Sequence, residues 1–165
     1  MATMVKKIYF AGPDVFFPNY PEKIREIQAL GAKYNFSPLC PGESPETDPT
    51  VIYQKNLALI EEAHGLIANL NPFRGQEPDS GTAFEVGYAL AKGKWIIGYL
   101  TDLRDLKTKI HSKVKGPQSS VILPDGSIAE DFGLPVNLTL ALAAKRLVPN
   151  LEAAVLAAVA FKLLG

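Results

Sequence analysis

The stretch LIANLNPFRGQEPDSGTAFEVGYALAKGKWIIGYL, residues 66–100, decides the fold class. Its opening residues, 66–70, apolar except for Asn69, read as a strand. A Pro-bounded, Gly-containing loop follows from Asn71 to Pro78. Ser80 to Lys92 then reads as a helix whose mouth carries Asp79, a residue type that caps helix N-termini. Residues 94–100, rich in Ile, Trp and Tyr, read as a second strand. A strand, a helix and a strand in succession make the repeating unit of a parallel sheet.

The alternation extends in both directions. Residues 5–11 read as a buried strand ending at Gly12-Pro13. Residues 20–32 read as a helix with Pro21 in its first turn and Ile24, Ile27 and Leu30 on its apolar face. A short strand at 35–39 leads into a loop, 41–49, that contains Pro41, Pro45 and Pro49. Asp48 caps a helix over about 50–63, with Ile52, Leu57 and Ile60 turned to the core and Gly65 ending it. Residues 101–128 are polar and punctuated by Gly and Pro, and read as a long surface loop with some helix. Leu134-Pro135 opens a helix through about 143, residues 146–148 form a short edge strand, and Asn150 caps a last helix. The expectation is a single α/β domain over 1–165, with a parallel sheet of about five strands wound on both faces by helices. Ligands of such sheets bind outside the carboxyl ends of the strands. That brings the loops 12–17, 41–48 and 71–79 around one crevice.

Composition narrows the partners. With 47% hydrophobic and 21% charged residues the chain matches ordinary soluble globular proteins. Seventeen Lys and Arg balance seventeen Asp and Glu, and no basic run occurs. Nucleic acid and anionic membrane are therefore poor partners, because phosphate contacts need clustered cations. A small, weakly charged substrate is expected. The single Cys40 excludes an intramolecular disulfide and fits a reducing cytoplasm. One Cys and two separated His do not make a zinc set, and no metal is expected. Residues 1–7 lack a signal-peptide profile. The apolar run 151–165 is too short to span a bilayer and is interrupted by Glu152 and Lys162. It is expected to be buried or to face another subunit.

Chemistry concentrates at Asp79 and Glu85. Two carboxylates near one helix N-terminus, the second among apolar residues, suit work on a glycosidic bond: one ionised group attacks the sugar carbon while a protonated one serves the leaving group. The bland alternatives are a solvated Glu85 paired with Lys92 and a plain N-cap at Asp79. Gly81 and Ala89, one turn to either side of Glu85, leave it unshielded. Gly81 and Gly87 each cost a helix roughly 1 kcal/mol relative to Ala, which points to a close approach there. Gly12-Pro13-Asp14 lacks the G-x-G-x-x-G pattern, so no dinucleotide site is read. Phe16, Phe17, Tyr20 and Phe73 are either core residues or rim aromatics fit for base stacking. Gln54-Lys55-Asn56 reads as a solvated polar run.

Taken together, Lys7-Ile8-Tyr9-Phe10-Ala11-Gly12-Pro13, Gln54-Lys55-Asn56, the block from Asn71 to Glu85 and Leu134-Pro135-Val136-Asn137-Leu138 resemble the nucleoside 2-deoxyribosyltransferases. The most specific part is Asp79-x-Gly81-x-x-Phe84-Glu85-x-Gly87. The resemblance implies a flavodoxin-like sheet and transfer of 2-deoxyribose between nucleobases, with nucleosides and free bases as partners and no cofactor. It implies Glu85 as nucleophile, Asp79 as the carboxylate beside the base, and Tyr9 as the residue orienting the nucleophile. Gly12, Phe16, Asn56 and Gly81 fall at substrate-binding positions. Asn137 corresponds to a sugar-binding Asn donated by a neighbouring subunit, so a homo-oligomer, dimer or hexamer, is expected.

Two departures accompany the resemblance. Asn56 stands where some members have an Asp, and an amide cannot be a general acid, so proton donation falls to Asp79. The final residues, Lys162-Leu163-Leu164-Gly165, supply no counterpart to the family's C-terminal aromatic carboxylate. Two other activities fit the same expectations in part: a 2-deoxynucleoside 5′-monophosphate N-glycosidase with water as acceptor, and a non-catalytic nucleotide-sensing domain.

Overall fold

The computed structural model describes residues 5–43, 45–111, 121–123 and 126–164. The strands are β1 (Lys6–Ala11), β2 (Phe36–Leu39), β3 (Gly65–Asn69), β4 (Trp95–Tyr99) and β5 (Arg146–Val148). The helices are α1 (Tyr20–Tyr34), α2 (Pro49–Glu62), α3 (Ser80–Ala91), α4 (Leu106–His111), α5 (Leu138–Ala143) and α6 (Leu151–Ala160), with a 3-10 turn at Pro13–Phe16. The strands form one sheet in the order β2-β1-β3-β4-β5, and every pairing is parallel. This is the flavodoxin-like order that the resemblance implied, its parallel pairing is what the alternation indicated, and β5 lies at the edge as its sequence indicated.

Because side chains alternate along a strand, each strand feeds two cores. Ile8, Phe10, Ile67, Ile97 and Tyr99 pack with α1 and α6 on one face. Tyr9, Leu66, Ala68 and Ile96 pack with α2, α3 and α5 on the other. Burial on both faces explains why 66–68 reads as a continuous apolar run. α6 covers its own sheet with Ala154, Val155 and Ala158, while Leu156, Val159 and Phe161 stay exposed. Its apolar composition thus has an internal use on one side only. No helix among the described residues is long and apolar enough to cross a membrane.

Two expectations are corrected. Leu134 and Pro135 do not open a helix, and α5 begins at Leu138. The backbone carbonyl of Leu134 accepts from the Leu106 N–H and that of Pro135 from Lys109 Nζ, so both are spent on α4 rather than on a helical turn. Ile52 is exposed rather than packed in the core. In α2 burial is complete only at Ile60, about two turns further on. Of the long loop expected over 101–128, the described part contains α4 and a bridge between Ile122 and Ile128; residues 112–120 lie outside the described residues.

Candidate active site

The order of the strands reverses between β1 and β3, where the loops after them part and leave a crevice. Both loops are fixed by a chain of amides. Asn69 Nδ2 donates to Asp14 Oδ2 (2.9 Å), and Asn71 Nδ2 donates to Asn69 Oδ1 (2.7 Å). Asn71 Oδ1 in turn accepts from the Thr101 N–H and hydroxyl, each at 2.9 Å. The ends of β1, β3 and β4 are thereby tied together. Gly12 is required by this closure. A Cβ there would stand 2.5 Å from Asp14 Oδ2 and 2.8 Å from Asn69 Cβ. Sequence reading placed Gly12 at the rim but missed Asp14, Asn69, Asn71 and Thr101. Only the cluster of short polar residues just after three strand ends hinted at them.

On the α2/α3 face, Tyr9 is fully buried on β1 and its hydroxyl donates to Glu85 Oε1 at 2.7 Å. This long-range bond joins a strand residue to the middle of α3. Burial, the largest influence, pushes the Glu85 carboxyl up from 4.5 to about 7, with the Tyr9 hydrogen bond pulling it down and the Asp79 charge pushing it up. Burial and the Glu85 charge together drive the Tyr9 hydroxyl far above the usual phenol range, so it stays a donor. Lys92 is not a partner of Glu85; its ammonium bonds Glu61 at 2.6 Å. The bland alternative for Glu85 is therefore overturned by the fold.

Asp79 caps α3. Its Oδ2 accepts from the Thr82 N–H at 2.9 Å and the Thr82 hydroxyl at 3.1 Å. Both bonds fall on one oxygen, and Oδ1 faces no protein donor among the described residues. A Cβ on Gly81 would lie 3.0 Å from Asp79 Oδ2, so the glycine gives the cap its room. Gly87 differs: a Cβ there meets nothing within 4 Å, and no packing of the protein calls for a glycine.

Phe16 is 58% exposed and its ring stacks on Phe73 with centroids 5.5 Å apart and planes 18° apart. These aromatics belong to the rim and not to the core. Asn56 is half-buried, on the helix face shared by Tyr53 and Ile60. Tyr53 meets Phe84 of α3 at 6.2 Å and Ile60 enters the core. The Asn56 amide makes no hydrogen bond among the described residues, whereas Gln54 and Lys55 are exposed as read. Asn137 is the N-cap of α5. Its Oδ1 accepts from the Thr139 N–H (2.9 Å) and its Nδ2 donates to Glu130 Oε1 (2.6 Å).

A carboxylate in the middle of α3, a buried phenol aimed at it, a second carboxylate at the mouth of the same helix and aromatics from the loops after β1 and β3 make up the candidate site. Comparisons with known proteins bear on the family of the whole chain. The 2-deoxyribosyltransferase of Leishmania mexicana has a solved structure that superposes with a TM-score of 0.83 at 37% identity, covering 94% of this chain and 97% of that one. An uncharacterised protein of Schizosaccharomyces pombe is 29% identical over 146 residues, which is 79% of this chain and 69% of that protein. A CMP N-glycosidase of Clostridium botulinum aligns at 20% identity with a TM-score of 0.46, over 65% of this chain and 82% of its own. The model of the nucleoside 2-deoxyribosyltransferase family matches residues 8–139, nearly the whole sheet and both carboxylates, and the chain belongs to that family.

Proposed function

We propose that the protein transfers 2-deoxyribose between nucleobases by a retaining, two-step reaction. The observation that carries this reading is the 2.7 Å bond from the buried Tyr9 hydroxyl to Glu85 Oε1. It holds one carboxylate oxygen and leaves Oε2 as the attacking atom. In the first step Oε2 bonds to the anomeric carbon, the bond from that carbon to the base nitrogen breaks, and a proton from water reaches the departing base through Asp79. A covalent deoxyribosyl-Glu85 ester results. In the second step a nitrogen of the incoming base attacks the same carbon, Glu85 leaves, and Asp79 takes up the proton shed by that base. Two displacements on one carbon retain configuration.

The remaining roles are our reading of the residues around that pair. Phe16 offers an exposed ring to a base, and Asn56 offers an amide without a protein partner. Gly12 and Gly81 keep the rim open for the sugar. A 2-hydroxyl beside the buried Tyr9–Glu85 pair would be crowded or left unpaired, which gives a physical basis for a 2-deoxy preference. Asn137 serves the site of a neighbouring copy in a homo-oligomer, which requires it to exchange Glu130 for a sugar hydroxyl. Purine nucleosides of base salvage are the substrates we favour, in the cytoplasm.

Incubation with deoxyinosine and adenine tests the reaction. Deoxyadenosine as product supports transfer. Release of hypoxanthine without exchange would make the protein a hydrolase, and no reaction would make it a sensor.

A further inference from the structure

The rim holds a cation that the reaction above does not use. Arg74 has φ +54, the left-handed region that non-glycine residues avoid. The backbone turn is closed by the Phe73 N–H donating to the Glu77 carbonyl at 3.0 Å. In that conformation the guanidinium lies over two rings, 4.6 Å from the centroid of Phe73 and 5.1 Å from that of Phe16. Phe16 comes from the loop after β1 and Arg74 from the loop after β3, so the stack bridges the mouth of the crevice. Arg74 forms no ion pair among the described residues, in contrast to Arg25 and Arg104. Its planar fork of donors is held in place by rings and left open for a ligand.

The charge of the surroundings decides which ligand. Arg74 lines one groove with Glu77, Asp79 and Ser80. Two carboxyl groups beside it disfavour a dianionic phosphate. They do not disfavour a neutral base, and Asp79 is the residue placed at the base in the reaction. A guanidinium matches two adjacent acceptors, the O6 and N7 of a 6-oxopurine, whereas adenine presents a donor at the 6 position. We propose that Arg74 reads the O6/N7 edge of hypoxanthine or guanine beside Phe16, and so makes 6-oxopurines the favoured bases. This rests on the transferase reading for its catalytic arm but not for its binding arm.

The test compares kcat/KM for deoxyinosine, deoxyguanosine and deoxyadenosine as donors to one common acceptor purine, in the unsubstituted protein, Arg74→Ala and Arg74→Lys. The unsubstituted protein should favour both 6-oxopurines over adenine. Arg74→Ala should lose about tenfold to a hundredfold on the 6-oxopurines and change little on adenine. Arg74→Lys, which keeps the charge without the fork, should recover only part. Equal loss on all three donors, or a preference for adenine in the unsubstituted protein, overturns the proposal. A preference for deoxyinosine 5′-monophosphate over deoxyinosine that vanishes in Arg74→Ala also overturns it, in favour of a phosphate site. If no transfer occurs with any donor, the transferase reading fails, and calorimetric titration with hypoxanthine and adenine decides the base readout alone. Tighter hypoxanthine binding that Arg74→Ala abolishes supports it, and equal affinities in the unsubstituted protein overturn it.

Discussion

Replacing Tyr9 by Phe removes one oxygen from a fully buried site and one hydrogen bond from Glu85. A hydrogen bond to a charged group contributes about 1.5–3 kcal/mol. In Tyr9→Phe that stabilisation of the ionised carboxylate is lost. With 1.36 kcal/mol for each pH unit, the midpoint of Glu85 ionisation moves up from about 7 by about one to two pH units. Glu85 must be ionised to attack, so kcat/KM for exchange should rise with pH through about 7 in the unsubstituted protein. In Tyr9→Phe the same rise should come one to two pH units later. At pH 6 the variant should therefore run about tenfold to a hundredfold slower, with most of the deficit recovered on the alkaline plateau. The assay is the pH profile of kcat/KM for deoxyinosine-to-adenine exchange, which reports the free enzyme. A loss of equal size at every pH would refute the argument, because it would give Tyr9 a role in packing or substrate placement rather than in holding Glu85 ionised.

Other consequences can be checked together. The folded protein holds the Glu85 proton more tightly than the unfolded chain, from 4.5 up to about 7. That contribution to stability is complete below pH 4.5 and is lost as pH rises through 7. Glu85→Gln should thus be more stable than the unsubstituted protein at pH 8 by about 1–3 kcal/mol and show no such gain at pH 4, measured by urea unfolding. Asp79→Asn keeps a cap on α3, so its melting temperature should barely move, yet its rate should fall most for bases that leave poorly without protonation; a uniform loss across bases would assign Asp79 to positioning. Glu85→Ala and Asn137→Ala, each nearly inactive alone, should regain activity when unfolded and reassembled together, since some mixed sites then hold both native residues. Activity that stays at the level of the separate variants despite proven subunit mixing would place Asn137 within its own chain's work.

Local signals carried much of the fold. Asp48, Asp79 and Asn150 cap the helices read from them, each with a side-chain oxygen on a backbone N–H. The inner strands β1, β3 and β4 were legible because burial on both faces leaves apolar stretches such as 8–11, 66–68 and 95–97. What failed was non-local. Leu134 and Pro135 look like a helix start until Leu106 and Lys109 claim their carbonyls. Lys92 sits two turns from Glu85 in sequence but bonds Glu61 across the α2–α3 contact. The amide chain from Asp14 to Thr101 joins residues that no periodicity links. At the site, spacing alone left Glu85 and Asp79 open to bland readings. The approach of Tyr9, 76 positions away, distinguishes Glu85 from an ordinary helical glutamate.

The central claim is the covalent step at Glu85. The protein should be mixed with deoxyinosine, quenched in acid within the first turnovers, digested with pepsin and examined by mass spectrometry. The account predicts a peptide containing Glu85 that is heavier by one deoxyribosyl group, absent from Glu85→Ala and discharged when adenine is added before the quench. An unmodified Glu85 peptide alongside undiminished exchange, or a deoxyribosyl group on another residue, would contradict it.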